Sequence, residues 1–263
     1  KGTTHTDFLD IERDRGISIR AATTTIRWRD TDINIIDTPG HMDFAAEVER
    51  SLRVLDGAVL VLSAVEGVQA QTEVIWRALK ARRLPTLFFI NKLDRVGADP
   101  ARVLAEIRRL LTPDILPLQK VILSHDREPV LLHRFDSAIA EERFGNDVIL
   151  GDVISGSAVS DGRFPAEWIE SVCEGDDNLL EDWMEGKALT PEALRQSLCR
   201  QSRSGRLFPV LFGAALKELG TEPLLNAIVD FLPPPVGNPE EPLSGVVFRL
   251  EHDKTMGRIA HVR

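Results

Sequence analysis

Asp37-Thr38-Pro39-Gly40-His41 lies between an apolar run, Ile33-Asn34-Ile35-Ile36, and an amphipathic segment that begins near Asp43. A loop between a strand end and a helix start is where an α/β sheet releases its chain toward a ligand. This one could present the Asp37 carboxylate to a metal, the Gly40 amide to a phosphate and the His41 imidazole to a water. A second polar loop, Asn91-Lys92-Leu93-Asp94, follows another apolar run, Thr86-Leu87-Phe88-Phe89-Ile90.

Beyond the first loop, Phe44, Val48, Leu52 and Leu55 recur at three- and four-residue spacing, which predicts a helix with one buried face. The apolar strand Ala58 to Leu62 follows, then a helix to about Arg82, the strand ending at Ile90 and a helix from Pro100 to Leu111. Strand-helix alternation of this kind predicts a parallel sheet with helices on both faces. Upstream, the β-prone runs Thr23 to Trp28 and Thr31 to Ile36 are separated only by Arg29-Asp30. That short polar connection suits an antiparallel hairpin, and so one antiparallel edge strand on a mostly parallel α/β sheet.

The 263 residues are enough for one large or two ordinary domains. A formal net charge of −9 and a pI near 5.3 argue against a chain that coats nucleic acid with basic surface, although a local patch could still dock on RNA. DNA is not an expected partner. Cys173 and Cys199 show no zinc spacing and read as two reduced thiols. No apolar run approaches the roughly 20 residues of a membrane-spanning helix, and no signal-peptide pattern opens the chain, so the expected compartment is the cytoplasm, without a membrane partner.

In Asn91-Lys92-Leu93-Asp94 the aspartate can accept two hydrogen bonds from a guanine edge, from N1–H and the exocyclic amine. Adenine offers no such pair, and a misread base would leave the carboxylate unpaired. Lys92 can lay its methylenes over the base plane, and Asn91 can tie the loop to its neighbours. Near the start, Glu12-Arg13-Asp14-Arg15-Gly16-Ile17-Ser18-Ile19 suits either a mobile segment that orders when its hydroxyl meets a metal or a surface loop entering a strand. The opening Lys1-Gly2-Thr3-Thr4 is not a phosphate loop, and G-x-x-x-x-G-K-[ST] occurs nowhere in these residues.

The ordered set R-G-I-S-I, D-T-P-G-H-M-D-F, G-V-Q-A-Q-T and N-K-L-D-R resembles the translational GTPases of the elongation factor G type. Lys1 to Asp7, Leu9 to Arg13 and Glu174 to Glu181 are more similar to the tetracycline-resistance ribosomal protection proteins. The resemblance covers nearly the whole chain. It implies a P-loop-type GTPase fold that here lacks its phosphate loop, with GTP or GDP and Mg²⁺ as cofactors and the ribosome as partner of a full-length protein that is a monomer away from it. It further implies that Gly16, Ile17 and Ser18 form the first switch. Ser18 stands where threonine is usual and would ligate Mg²⁺ directly. Asp37 would hold a Mg²⁺-bound water, Thr38 and Pro39 would shape the loop, Gly40 would donate to the γ-phosphate and His41 would orient the attacking water. The function implied is GTP hydrolysis that frees the ribosome of tetracycline. The alternatives are translocation with the same chemistry, and a module that binds no nucleotide.

From about residue 112 to 206 short β-like pieces mix with acidic helices, as in the extra α+β subdomain carried by elongation factor G-like GTPases. Two stretches compete for the loop that backs the base. Ser155-Gly156-Ser157-Ala158 has the familiar spelling, but Gly213-Ala214-Ala215-Leu216 follows the buried-strand pattern Phe208 to Phe212 and precedes an amphipathic helix, Thr221 to Leu232. The later one is chosen, with Ala214 in place of the family serine and the Ala215 amide facing the guanine oxygen. A GTPase domain over residues 1–232 is thus expected, then a proline-rich linker over 233–242. The strands Leu243 to Leu250 and Arg258 to Val262 would begin a β-barrel domain over 243–263.

Overall fold

A computed structural model describes residues 21–39, 45–124, 127–135, 164–237, 240, 242, 244–253 and 255–263. Gly16, Ile17, Ser18, Gly40 and His41 lie outside the described residues, as do Asp147 to Leu150 and the rejected Ser157. In chain order the first elements are β1 (Ala22–Trp28), β2 (Thr31–Asp37), α1 (Ala45–Leu52), β3 (Ala58–Ser63), α2 (Ala70–Ala81), β4 (Thr86–Asn91) and α3 (Pro100–Leu110). They are followed by β5 (Ile115–Pro117), β6 (Gln119–Ser124), β7 (Arg127–His133), α4 (Ala166–Cys173), α5 (Asp177–Met184) and α6 (Pro191–Arg203). The last are β8 (Phe208–Phe212), α7 (Thr221–Phe231), β9 (Val247–Asp253) and β10 (Gly257–Val262).

The elements fall into two compact units. One holds the described residues of Lys1–Gly57, Ala70–Leu84 and Pro233–Arg263. In it β1 and β2 pair antiparallel from Ala22 opposite Asp37 to Trp28 opposite Thr31. Arg29 and Asp30 turn the chain with φ of 45° and 57°, the left-handed backbone that matches the twist of a two-residue hairpin. The helix α1 buries Val48 and Leu52, α2 buries Trp76 and Leu79, and Arg82 bonds Glu49 at 3.1 Å. The second hairpin joins β9 to β10 through Gly257 (φ 76°). Its first strand spans Val247–Asp253 rather than the expected Leu243 to Leu250, because the ladder continues to the Gly257–Asp253 pair.

The other unit, Ala58–Gln69 with Pro85–Leu232, contains a four-stranded sheet in the order β3-β4-β8-β5. All three pairings are parallel. The antiparallel strands expected beside it form a two-stranded sheet of their own, β1-β2. The central strands β4 (TLFFIN) and β8 (FPVLF) are buried almost throughout, as uninterrupted apolar runs in a parallel sheet should be. Within the stretch 112–206, Ile115–Pro117 belongs to this sheet rather than to an insertion, because it pairs with Phe208 to Val210. The hairpin β6-β7 and the helices α4, α5 and α6 make up the rest of that stretch among the described residues. Trp168, Leu194 and Leu198 of these helices share one buried cluster with Leu87, Phe89 and Leu211 of the sheet.

Helix starts follow capping chemistry. Asp99 accepts from the Arg102 amide at 2.9 Å ahead of Pro100, and Thr190 accepts from the Ala193 amide at 3.2 Å ahead of Pro191. Among the described residues no helix is long and apolar enough to cross a membrane.

Candidate functional site

The strands β3, β4 and β8 are neighbours and run parallel, so the loops that leave their carboxyl ends emerge side by side. These are residues 64–69, 91–99 and 213–220. Backbone bonds join them. The Ala64 amide donates to the Asn91 carbonyl at 2.8 Å, the Leu93 amide to the Gly213 carbonyl at 3.1 Å, and the Asp99 amide to the Ala64 carbonyl at 2.9 Å.

Asn91 is the knot of this edge. Its Oδ1 accepts from the Lys92 amide at 2.8 Å and from the Ala215 amide at 2.9 Å. The Ala215 N–H expected to face a guanine oxygen is thus bonded to Asn91 in this structure. Lys92 has φ of 67°, a strained conformation for a side chain with a Cβ, and the Asn91 bond helps to hold it. Its Nζ reaches both carboxylate oxygens of Glu66 at 3.3 Å. Asp94 accepts no hydrogen bond among the described residues; the nearest cation is Arg95, at 3.8 Å. Its side chain is 19% exposed.

The stretch Gly213 to Leu216 is tightly packed. A side chain at Gly213 would collide with the Leu219 carbonyl oxygen and the Phe89 ring, and Ala214 is buried with its amide bonded to the Leu219 carbonyl at 3.0 Å. Leu216 is exposed within a short 3₁₀ turn, Ala215–Lys217. Ahead of this stretch the Phe212 amide has no further strand partner, because β5 ends at Pro117. The buried Gln119 supplies one: its Oε1 accepts from Phe212 at 2.8 Å while its Nε2 meets His133 Nε2 at 2.6 Å. With Gln119 donating, that ring nitrogen is the acceptor.

The turn after β3 is clamped by α3. Arg102 donates to the Val65 carbonyl at 2.7 Å and to Glu106, and Glu106 Oε2 accepts from the Val68 amide at 2.9 Å. The Val68 amide does most to hold the Glu106 carboxyl below its ordinary range; burial opposes it, and Arg102, by bond and charge, and Arg109 reinforce it. Ser63 Oγ accepts from the amides of Val65 and Glu66, at 3.2 Å each.

Of the expected residues, Asn91, Lys92, Asp94, Ala214, Ala215 and Leu216 thus lie on two bonded loops. Asp37 ends β2 in the other unit, half-buried, with Thr38 half-buried and Pro39 buried after it. Glu66, Gln119 and the Arg102–Glu106 clamp were not expected. The i, i+4 spacing of Arg102 and Glu106 on a predicted helix suggests an ion pair, but nothing local tells that the pair reaches a turn more than thirty residues upstream.

Comparison with known proteins sets this geometry beside relatives. The model of the elongation factor Tu GTP binding domain matches residues 1–234. Tetracycline resistance protein TetO of Campylobacter jejuni and that of Streptococcus mutans are each 39% identical to the chain over 265 residues, covering 100% of it and 36% of their own length. The chain therefore spans about a third of the length of these curated relatives. A crystal structure of a protein from Thermus thermophilus superposes with a TM-score of 0.80 at 28% identity, over 100% of this chain and 39% of that one.

Proposed function

We propose, because this chain belongs to the family of elongation factor Tu GTP-binding domains, that its strand-end loops bind a guanine nucleotide and that its full-length form hydrolyses GTP on the ribosome. The observation that carries the proposal is the bonded pair of loops, with Asn91 holding the Ala215 amide and Asp94 beside them, its Oδ2 no nearer than 3.8 Å to the Arg95 guanidinium. Asp94 would read N1–H and the exocyclic amine of guanine, and the stem of Lys92 would cover the ring. Ala214, Ala215 and Leu216 would back the base, the Ala215 amide exchanging its Asn91 bond for the guanine oxygen.

Asp37 would meet a Mg²⁺-bound water and Ser18 would ligate the ion, with Gly16 and Ile17 shaping the same switch. Bound Mg²⁺ would supply positive charge against the phosphate oxygens. Thr38 and Pro39 would present Gly40 to the γ-phosphate, and His41 would orient the attacking water; such positioning suffices for phosphoryl transfer without a strong base. Residues 1–232 would form the GTPase domain, 233–242 a linker and 243–263 the start of a β-barrel. The two relatives are named for tetracycline resistance, which supports a role against that drug; ribosomal protection, by a cytoplasmic protein that is monomeric off the ribosome, is the form of that role we propose. Translocation is the competing use of the same chemistry.

The test is Asp94→Asn in the full-length protein. Guanine nucleotide affinity should fall by about 100-fold or more, the worth of two hydrogen bonds to a charged acceptor, while xanthine nucleotide affinity rises, since an amide donor suits the xanthine oxygen. Equal GDP affinity in wild type and variant, by titration with fluorescent nucleotide, would remove Asp94 from the base site.

A further inference from the structure

The turn Val65-Glu66-Gly67-Val68 is built to hold one carboxylate in one place. Its backbone is fixed from both sides, by Ser63 Oγ beneath the Val65 and Glu66 amides and by Arg102 and Glu106 at the Val65 carbonyl and the Val68 amide. Gly67, at φ of 71°, donates its amide to the Ser63 carbonyl at 2.9 Å, and a side chain there would run into the Glu106 carboxylate. Ser63 and Asn91 are register partners, and from the turn after Ser63 the Glu66 side chain meets the residue that follows β4. That residue is Lys92, whose left-handed backbone and Asn91 bond set where its stem begins. Both oxygens of Glu66 take its ammonium at 3.3 Å.

We propose that Glu66 is a positioning residue for nucleotide binding, which anchors the head of Lys92 so that the methylene stem is already laid out as a wall when a base arrives. This rests on the guanine-binding reading above. A half-exposed ion pair, 48% and 45% accessible here, stabilises a fold little, so its effect belongs to the bound state. An unanchored lysine stem samples many rotamers and must be ordered when a ring packs on it; a stem ordered beforehand removes part of that cost. The ring face is common to all purines, so the contribution does not depend on the base edge. Asp94 reads the edge and Glu66 readies the face.

The experiment uses the full-length protein with fluorescent GDP and inosine diphosphate, in wild type, Glu66→Gln, Lys92→Met and the double variant. Glu66→Gln should weaken both nucleotides by the same factor, about three- to tenfold, mainly through faster dissociation. The double variant should bind no more weakly than Lys92→Met alone, because Glu66 acts only through the lysine. An unchanged affinity in Glu66→Gln overturns the proposal. So does a loss that persists in the Lys92→Met background, since that marks Glu66 as a support of the turn. A wild type that fails to prefer GDP to ADP strikes the guanine reading itself, which separates that failure from the failure of Glu66.

Discussion

Asn91 ties the sheet edge together, since its one amide oxygen accepts two backbone N–H groups that belong to different loops. The pattern N-K-x-D after an apolar strand is enough to place Asn91, Lys92 and Asp94 on a strand-end loop. It does not show that Asn91 and Ala215 meet, because their contact spans 124 residues of sequence. Nor does it show that Lys92 turns left-handed, which depends on the bond from its amide. His41 stands on residue chemistry alone, through its place directly after Asp-Thr-Pro-Gly. If it orients the attacking water, His41→Ala in the full-length protein should leave GDP affinity within about twofold and slow single-turnover hydrolysis by roughly 100-fold, the cost of a misplaced reactant. Hydrolysis at the wild-type rate would take His41 out of that role.

At the scale of elements, most helices and strands are legible because their patterns are clean: Leu87 to Ile90 of β4 and the whole of β8 are apolar without a break, and α3 and α6 announce their starts with Asp99-Pro100 and Thr190-Pro191. What sequence pattern misses is partners across elements. The three residues of β5 are too few to show a period, so Ile115–Pro117 reads as the margin of an insertion rather than as a strand beside β8. The Arg102–Glu106 clamp is another such partner, and it has a pH signature. The folded state holds the Glu106 carboxyl below its ordinary value of 4.5, through the Val68 amide first and Arg102 after it. The unfolded chain therefore takes up that proton first. The clamp's contribution is present in full above the ordinary value and is lost as pH falls through the lowered one. Denaturant midpoints measured between about pH 7 and 3 should thus fall less steeply in Glu106→Gln than in wild type. The substitution itself should cost about 1–3 kcal/mol at neutral pH, since a charged acceptor is lost to Val68 and Arg102. Parallel pH profiles would show that Glu106 is not held as described.

Over the whole molecule, the helices from Ala166 to Arg203 are not an ornament on the sheet. Leu194 and Leu198, both fully buried, lie in the same apolar cluster as Leu87, Phe89 and Leu211. Composition alone allows that stretch to be either a partner surface or a passive insertion; shared burial makes it a support of the sheet that carries the loops. Leu198→Ala should cost about 2–5 kcal/mol. Circular dichroism and tryptophan fluorescence should then shift to one common midpoint, whereas two separated transitions would mean that the helices unfold on their own. The separation of Asn91 from Ala215 also sets a schedule. With a sequence separation of 124 and synthesis at about 5–20 residues per second, roughly 6 to 25 s pass between the emergence of the first and that of the second. A local hairpin such as β1-β2 closes in about 1–10 μs. During those seconds β4 offers Leu87 to Ile90 without β8, the neighbour that later covers one of its edges. A newborn copy of this protein therefore carries an unpaired apolar strand edge for that interval, and a pause in translation before Phe208 would lengthen its exposure.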